Sequence, residues 1–300
     1  MADIVINGAT YKDVPSIQVP DENGEMVEFR EKLTPYEACV EEFKANGWTE
    51  YEVSGSLSLS DIRNAETNKQ YVTKIPEMSK IPDFSECHNL VLKEFTTTTT
   101  TMSANSFQYD DNVYAETFFP NVKEINASAF YGCCNLRLYN LNEVLTYIGS
   151  YAFFECKNIT ISELPKRVST LGGQSFQRCY SIPKMKTYDK LKALNNRTFY
   201  SCRNMQKYDG YVTSIEAECF AYCIRLTAFI LRSDVATLAN SSAFKSTPIA
   251  SGTGYIYVPK SLVDSYKSAT NWSVYANQFR ALEDYTVDGT ITGELDESKI

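Results

Sequence analysis

Phenylalanine returns at a nearly constant interval through the middle of this chain. Phe84, Phe107, Phe130, Phe153, Phe176, Phe199, Phe220 and Phe244 are separated by 23, 23, 23, 23, 23, 21 and 24 residues. Other positions keep the same phase. Three residues after each Phe stand Cys87, Asp110, Cys133, Cys156, Cys179, Cys202, Cys223 and Thr247. Six residues after the first seven stand Leu90, Val113, Leu136, Ile159, Ile182, Met205 and Leu226. Five residues before Phe, Met102, Ile125, Ile148, Leu171, Leu194 and Ile215 recur. A unit this short cannot bury its own apolar side chains, so neighbours must stack and share one continuous core. Like residues then form ladders, with rungs expected about 4.8 Å apart, the spacing between strands.

Composition narrows the chemistry. His88 is the one histidine, and glycine is 13 of 300 residues, so histidine-based catalysis, histidine-ligated metals and glycine-lined phosphate loops are poorly served. Six of the nine cysteines occupy the ladder position, which accounts for them as small buried apolar residues without disulfides or metal. The other pairs, Cys133-Cys134 and Cys219-x₃-Cys223, have no standard zinc spacing. Paired acids such as Asp110-Asp111 point to opposite faces if they lie on one strand. No cofactor and no enzymatic activity are expected.

The net charge of −8 divides into zones. Residues 1–52 carry −8 and residues 283–300 carry −5, while residues 157–207 carry +9. The basic zone is either a solvated face or an attraction for anionic partners. With no zinc-finger, RNP-type or helix-turn-helix signature, a nucleic-acid partner is not expected. No run of 18 apolar residues exists, so membrane insertion is not expected either.

The pattern I-x-x-x-x-F-x-x-C-x-x-L resembles the BspA-type bacterial leucine-rich repeats. IGSYAFFECKNI (148–159), INASAFYGCCNL (125–136) and IEAECFAYCIRL (215–226) carry the likeness. It implies an α/β to mainly β repeat: a right-handed solenoid with one parallel strand per repeat on its concave face and short strands or 3₁₀ turns opposite. It also implies a surface or secreted protein of adhesion and recognition. Asp110, Thr247 and the Thr96–Thr101 run depart from the pattern and suggest a distorted second unit and a capping last repeat.

The expected organisation is a small α/β N-terminal cap or docking module (1–70), a solenoid of about eight repeats (71–253), a helical C-terminal cap (254–283) and an acidic tail (284–300). Within the first module, turns are expected at Asn7-Gly8 and Asp21–Gly24. A helix is expected from Pro35 to Ala45, with Thr34 as N-cap and Glu37 completing a capping box. Its opening is similar to short N-terminal segments of prophage-encoded structural proteins. The cap is read as a last strand at Gly254–Pro259, a helix over Lys260–Ala269, and a segment packing Trp272 and Phe279. Val287-Asp288-Gly289-Thr290 forms a hairpin turn, and the tail either pairs with a neighbour or stays free. Association between copies through these flanks is an open expectation. The opening MADIVINGAT lacks a basic region and apolar core, so cytoplasmic synthesis with release from a phage particle or by lysis is expected, with the bacterial cell surface as the alternative.

Taking the positions six, nine and eleven after Phe as inward, those eight, ten and twelve after it face a partner. They make the concave face apolar at first (Leu92, Ala115, Leu138, Ile161) and basic and aromatic in the fifth to seventh repeats. The expected binding residues are Lys184, Lys186, Tyr188, Lys207, Asp209, Tyr211 and Arg232. Tyrosine with lysine or arginine suits a protein or glycan ligand. A purely structural or assembly role, with docking through the N-terminal module, is the alternative reading.

Overall fold

The computed structural model describes residues 33–299 except 54, 77–79, 94–97 and 115–118, together with the backbone of four strands between residues 4 and 29. Those strands form two antiparallel pairs, Ile4–Ile6 with Ala9–Tyr11 and Ile17–Pro20 with Met26–Phe29. The turns expected at Asn7-Gly8 and Asp21–Gly24, and the concave positions Glu94, Thr96, Ala115 and Thr117, lie outside the described residues.

The repeats stack as a parallel solenoid. The residues five before Phe107, Phe130, Phe153, Phe176, Phe199 and Phe220 lie in two-residue strands that continue from repeat to repeat. Thr101–Met102, Glu124–Ile125, Tyr147–Ile148 and Thr170–Leu171 form one parallel sheet. Ala193–Leu194, Ser214–Ile215 and Thr237–Leu238 form a second. On the concave side runs a five-stranded parallel sheet of Lys184–Lys186, Lys207–Gly210, Ala228–Leu231, Tyr255–Val258 and Phe279–Ala281. The last of these strands was not anticipated, because the cap was expected to end its strand at Pro259.

Between the sheets the phenylalanines stack. Successive ring centroids from Phe107 to Phe220 are 5.3–5.6 Å apart and the rings lie within 19° of parallel. This is wider than the strand spacing because the rungs sit on turns, and it falls in the range where offset aromatic pairs attract. Each ladder Phe from Phe107 to Phe220 is flanked, two residues before and after, by left-handed backbone, as at Asn105 and Tyr109, Ser128 and Gly132, Tyr151 and Glu155, and Gln174 and Arg178. The amides at these positions, and of Phe itself, donate to carbonyls of the next repeat, as Asn105, Phe107 and Tyr109 do to Ala127, Ala129 and Tyr131. Turn backbone is thereby satisfied by the neighbouring repeat rather than by water.

The cysteine ladder is more than apolar filling. The thiols of Cys133, Cys156, Cys179, Cys202 and Cys223 donate to the carbonyl of the Phe in the preceding repeat at 2.9–3.2 Å. That same carbonyl accepts the amide three residues on in its own repeat, so each Phe carbonyl ties two repeats together. An asparagine ladder does the same work beside it: Asn135 and Asn158 donate side-chain N–H to the carbonyls of Asp111 and Cys134 one repeat earlier. At the third position of the second unit stands Asp110, fully buried. The unit is not displaced by it, since Phe107 still stacks 5.5 Å from Phe130.

One register does not serve the whole solenoid. In the fifth to seventh repeats the residues nine after Phe (Met185, Tyr208, Phe229) are buried in the core, as expected. In the earlier repeats the residues eight after Phe (Leu92, Leu138, Ile161) are buried instead, and Tyr139, nine after, is 52% exposed. The expected apolar stretch of the concave face is therefore core. The first four units carry their apolar residues at six and eight, the later ones at six and nine, and a shift of one residue exchanges faces. Concave pairing in the early repeats reduces to single bridges such as Val72–Leu90, Leu92–Val113 and Glu163–Lys186.

Both ends of the core are covered. Helix α1 (Pro35–Ala45) begins at Thr34, whose hydroxyl accepts the Glu37 amide while the Glu37 carboxylate accepts the Thr34 amide. Its Tyr36, Cys39, Val40 and Phe43 lie on Tyr71, Val91 and Tyr114 of the first repeats. Helix α2 (Leu59–Thr67) inserts Ile62 into the main core. At the other end Trp272, fully buried, sits 6.0 Å from Phe244 and closes the stack, and its indole N–H donates to the Ala236 carbonyl at 2.7 Å. Thr247, in place of the ladder cysteine, bonds its own Phe244 carbonyl and caps a short helix at Pro248–Ser251, ending the repeat pattern.

Candidate functional site

The concave sheet of the fifth to seventh repeats carries the basic and aromatic residues. Strands Lys184–Lys186 and Lys207–Gly210 pair with Lys184 opposite Lys207 and Lys186 opposite Asp209. Met185 and Tyr208 point into the core, so alternation turns both lysines of the first strand outward. Lys184 and Lys186 are exposed and have no carboxylate partner among the described residues. Tyr188 is half-buried; its hydroxyl donates to Glu163 at 2.7 Å, and Lys186 and Lys166 lie over its ring at 5.4 and 5.6 Å. Burial and that hydrogen bond push the Tyr188 hydroxyl up to about 12, so it remains a neutral donor at physiological pH.

Asp209 and Arg232 behave differently from the expectation. They are only 9% and 8% exposed and hold each other through two hydrogen bonds, of 2.6 and 2.9 Å. Burial works against the Arg232 charge, and the Asp209 hydrogen bonds and carboxylate outweigh it, leaving the guanidinium above its ordinary pKa. The third guanidinium nitrogen donates to the carbonyls of Ile291 and Gly293, at 2.5 and 3.2 Å. The pair is thus spent within the chain and removed from solvent by the acidic segment.

That segment is bound to its own chain. It folds back at Asp288–Gly289, where the Asp288 carboxylate accepts the Thr290 amide and hydroxyl, and it closes with a Thr286–Leu295 bridge. Gly293 lies against Asp288 so closely that a Cβ there would meet Oδ1. Leu295 and Tyr285 pack on a small apolar patch formed by Ala228, Ile230 and Tyr257 of the concave sheet and by Leu282 just after its last strand. Further along, Glu297 forms an ion pair with Lys207.

Between sheet and segment lies a cleft of about 490 Å³. Lys184, Lys186, Lys207, Asp209, Tyr211 and Arg232 line it from the sheet, and residues 292–295 and 297 line it from the segment. The structure therefore gathers the sequence-derived residues into one place, with Tyr188 at its margin beside Glu163. Leucine-anchored coverage by residues 291–297 gave no sequence signal beyond charge.

A second surface escaped sequence reasoning. Tyr109, Tyr131 and Phe154 form a lateral aromatic row, with centroids 5.0 and 4.4 Å apart, and Tyr200 and Tyr222 continue the theme at 5.2 Å. Arg178 and Arg197 flank it but pair with Glu155 and Glu218. The signal was present as aromatic residues one or two places after several ladder phenylalanines.

Among the described residues no group of three His, Cys, Asp or Glu side chains is placed to hold a metal, and no helix is long and apolar enough to cross a membrane. His88 is an exposed turn residue.

Comparison with known proteins agrees with the repeat pattern. No curated protein matches in sequence. A leucine-rich repeat protein of T. pallidum is similar in structure at 19% identity, covering 51% of this chain and 72% of that one, with a TM-score of 0.43. A leucine-rich cell surface protein of Faecalibacterium prausnitzii matches at 16% identity over 71% of each chain, with a TM-score of 0.34. A leucine-rich repeat protein of Bacteroides ovatus matches at 16% over 83% of this chain and 71% of that one, with a TM-score of 0.39. The family model of the BspA type leucine rich repeat region matches residues 57–160 and 146–263, in six copies. The chain belongs to the BspA-type leucine-rich repeat family.

Proposed function

We propose that this protein is a non-enzymatic recognition module that binds a protein or glycan partner through the concave face of its fifth to seventh repeats. One observation carries the reading: Lys184 and Lys186 stand exposed and without a carboxylate partner among the described residues, beside Lys207, Tyr188 and Tyr211 at an open cleft. A solenoid offers an extended rigid surface, so little ordering cost accompanies binding. Lysines facing a partner strengthen encounter with anionic groups, and tyrosines add rigid contact area.

The test is a binding screen of the full chain on arrayed glycans and bacterial-host surface proteins. A specific partner whose binding weakens as ionic strength rises supports the reading. A partner bound independently of salt, or self-association alone, opposes it and favours an assembly role.

A further inference from the structure

The segment seated on the cleft shows what the cleft accepts. From residue 291 to 297 it makes three kinds of contact with the concave side. Arg232 takes the carbonyls of Ile291 and Gly293. The patch of Ala228, Ile230 and Tyr257 takes Leu295. Lys207 takes the carboxylate of Glu297. Arg232, Ala228 and Ile230 belong to the seventh repeat, Tyr257 to the strand after it and Lys207 to the sixth, and Lys184, directly paired with Lys207, lies one strand beyond. Residues 298 and 299 make no ion pair with Lys184 or Lys186 among the described residues. Ser298 follows, and Lys299 turns back toward Asp296 at 3.5 Å. Lys184 and Lys186 are thus left as two positive positions at the end of an occupied track.

We propose that the track receives an acidic, leucine-anchored peptide segment of a partner protein, and that residues 291–297 hold it as a built-in stand-in that the partner displaces. This rests on the concave-face reading above and adds the ligand's chemical class. A peptide is favoured because Arg232 takes two backbone carbonyls, those of Ile291 and Gly293, which any sequence presents. An acidic continuation is favoured because two unpaired lysines follow Lys207. The tethered segment competes at the effective concentration of a short linker, so it holds the site against weak ligands and yields to those that also engage Lys184 and Lys186.

The test uses the full chain and one probe, a synthetic peptide of residues 286–297 continued by three glutamates. Two chain variants accompany the wild type. Leu295→Asp with Glu297→Lys releases the segment, and Lys184→Glu with Lys186→Glu in that background removes the free lysines. Circular dichroism establishes that each is folded. The released chain is expected to bind the probe about tenfold more tightly than the wild type, as loss of a tethered competitor requires. The lysine reversals are expected to reverse that gain. A readout free of substitutions accompanies these: on the wild-type chain, saturating probe accelerates hydrogen exchange of residues 291–297.

Equal affinity for wild-type and released chains, or binding indifferent to the lysine reversals, overturns the proposal. If the probe fails while a partner from the screen still needs Lys184, Lys186 and Lys207, the acidic-peptide assignment falls and concave recognition stands. If neither depends on the lysines, both fall.

Discussion

Arg232 and Asp209 sit in adjacent repeats at positions twelve and ten after their ladder phenylalanines, and the guanidinium grips the carboxylate through both oxygens. The pair joins two strands and, through the carbonyls of Ile291 and Gly293, fastens the acidic segment to the sheet. Arg232→Ala leaves a buried carboxylate without its partner and is expected to cost about 3 kcal/mol. Denaturant unfolding checks the cost. Hydrogen exchange checks the second consequence, faster exchange at residues 291–297, and unchanged exchange there contradicts the fastening.

Asp110 makes stability depend on pH. Burial chiefly, and Asp111 beside it, raise its pKa well above the usual carboxylate value, against a lowering by the Asn112 amide. A raised folded pKa means the protonated form is favoured in the fold. Its stabilising contribution is complete below the unfolded pKa, near 4, and is lost as pH rises through the folded value. Asp110→Asn is expected to remove this dependence. Asp110→Cys, which restores the ladder residue, is expected to stabilise by about 1–3 kcal/mol at pH 8, since Oδ2 has no partner among the described residues. Melting curves from pH 5 to 8 check both; a parallel pH profile for Asp110→Asn contradicts the account.

The thiols should be chemically quiet. Burial raises Cys133, Cys156, Cys179 and Cys202 well above the ordinary thiol pKa, so little thiolate exists to react. Alkylation of the native protein followed by mass spectrometry is expected to modify Cys39 and Cys134 slowly, the two half-buried cysteines, and the other seven only after unfolding. Rapid labelling of a ladder cysteine contradicts this.

Trp272 closes the aromatic stack, so Trp272→Ala opens the core beside Phe244. The expected cost is about 3–5 kcal/mol. Exchange of amides near residues 236–244 should rise first, because a solenoid unravels from an uncovered end. Uniform loss of protection along the chain contradicts the cap's local role.

The repeat was legible because identical positions recur in phase, and Phe, Cys and the residue six after Phe all fall where the spacing puts them. The concave face was half legible. Lys184 and Lys207 face outward because Met185 and Tyr208 claim the interior, but Leu138 and Ile161 turn inward because their own repeats place apolar residues one position earlier. The switch is written in the sequence, though only reading each repeat by itself reveals it. Asp209 and Arg232 looked like surface charges because their cover comes from residues 59 and 61 positions past Arg232. No local pattern reports a contact of that range. The thiol bonds were equally hidden, since burial alone already explained cysteine.

The proposed contact with a partner lies at the lysines of the fifth and sixth repeats. Its most direct measurement compares the full chain with Lys184→Glu, Lys186→Glu and Lys207→Glu combined, in binding to a partner from the screen, at low and at physiological salt. Equal melting temperatures establish that both are folded. Binding by the variant is expected to be at least about tenfold weaker at low salt, with a flattened salt dependence. Unchanged affinity with an unchanged salt dependence contradicts it.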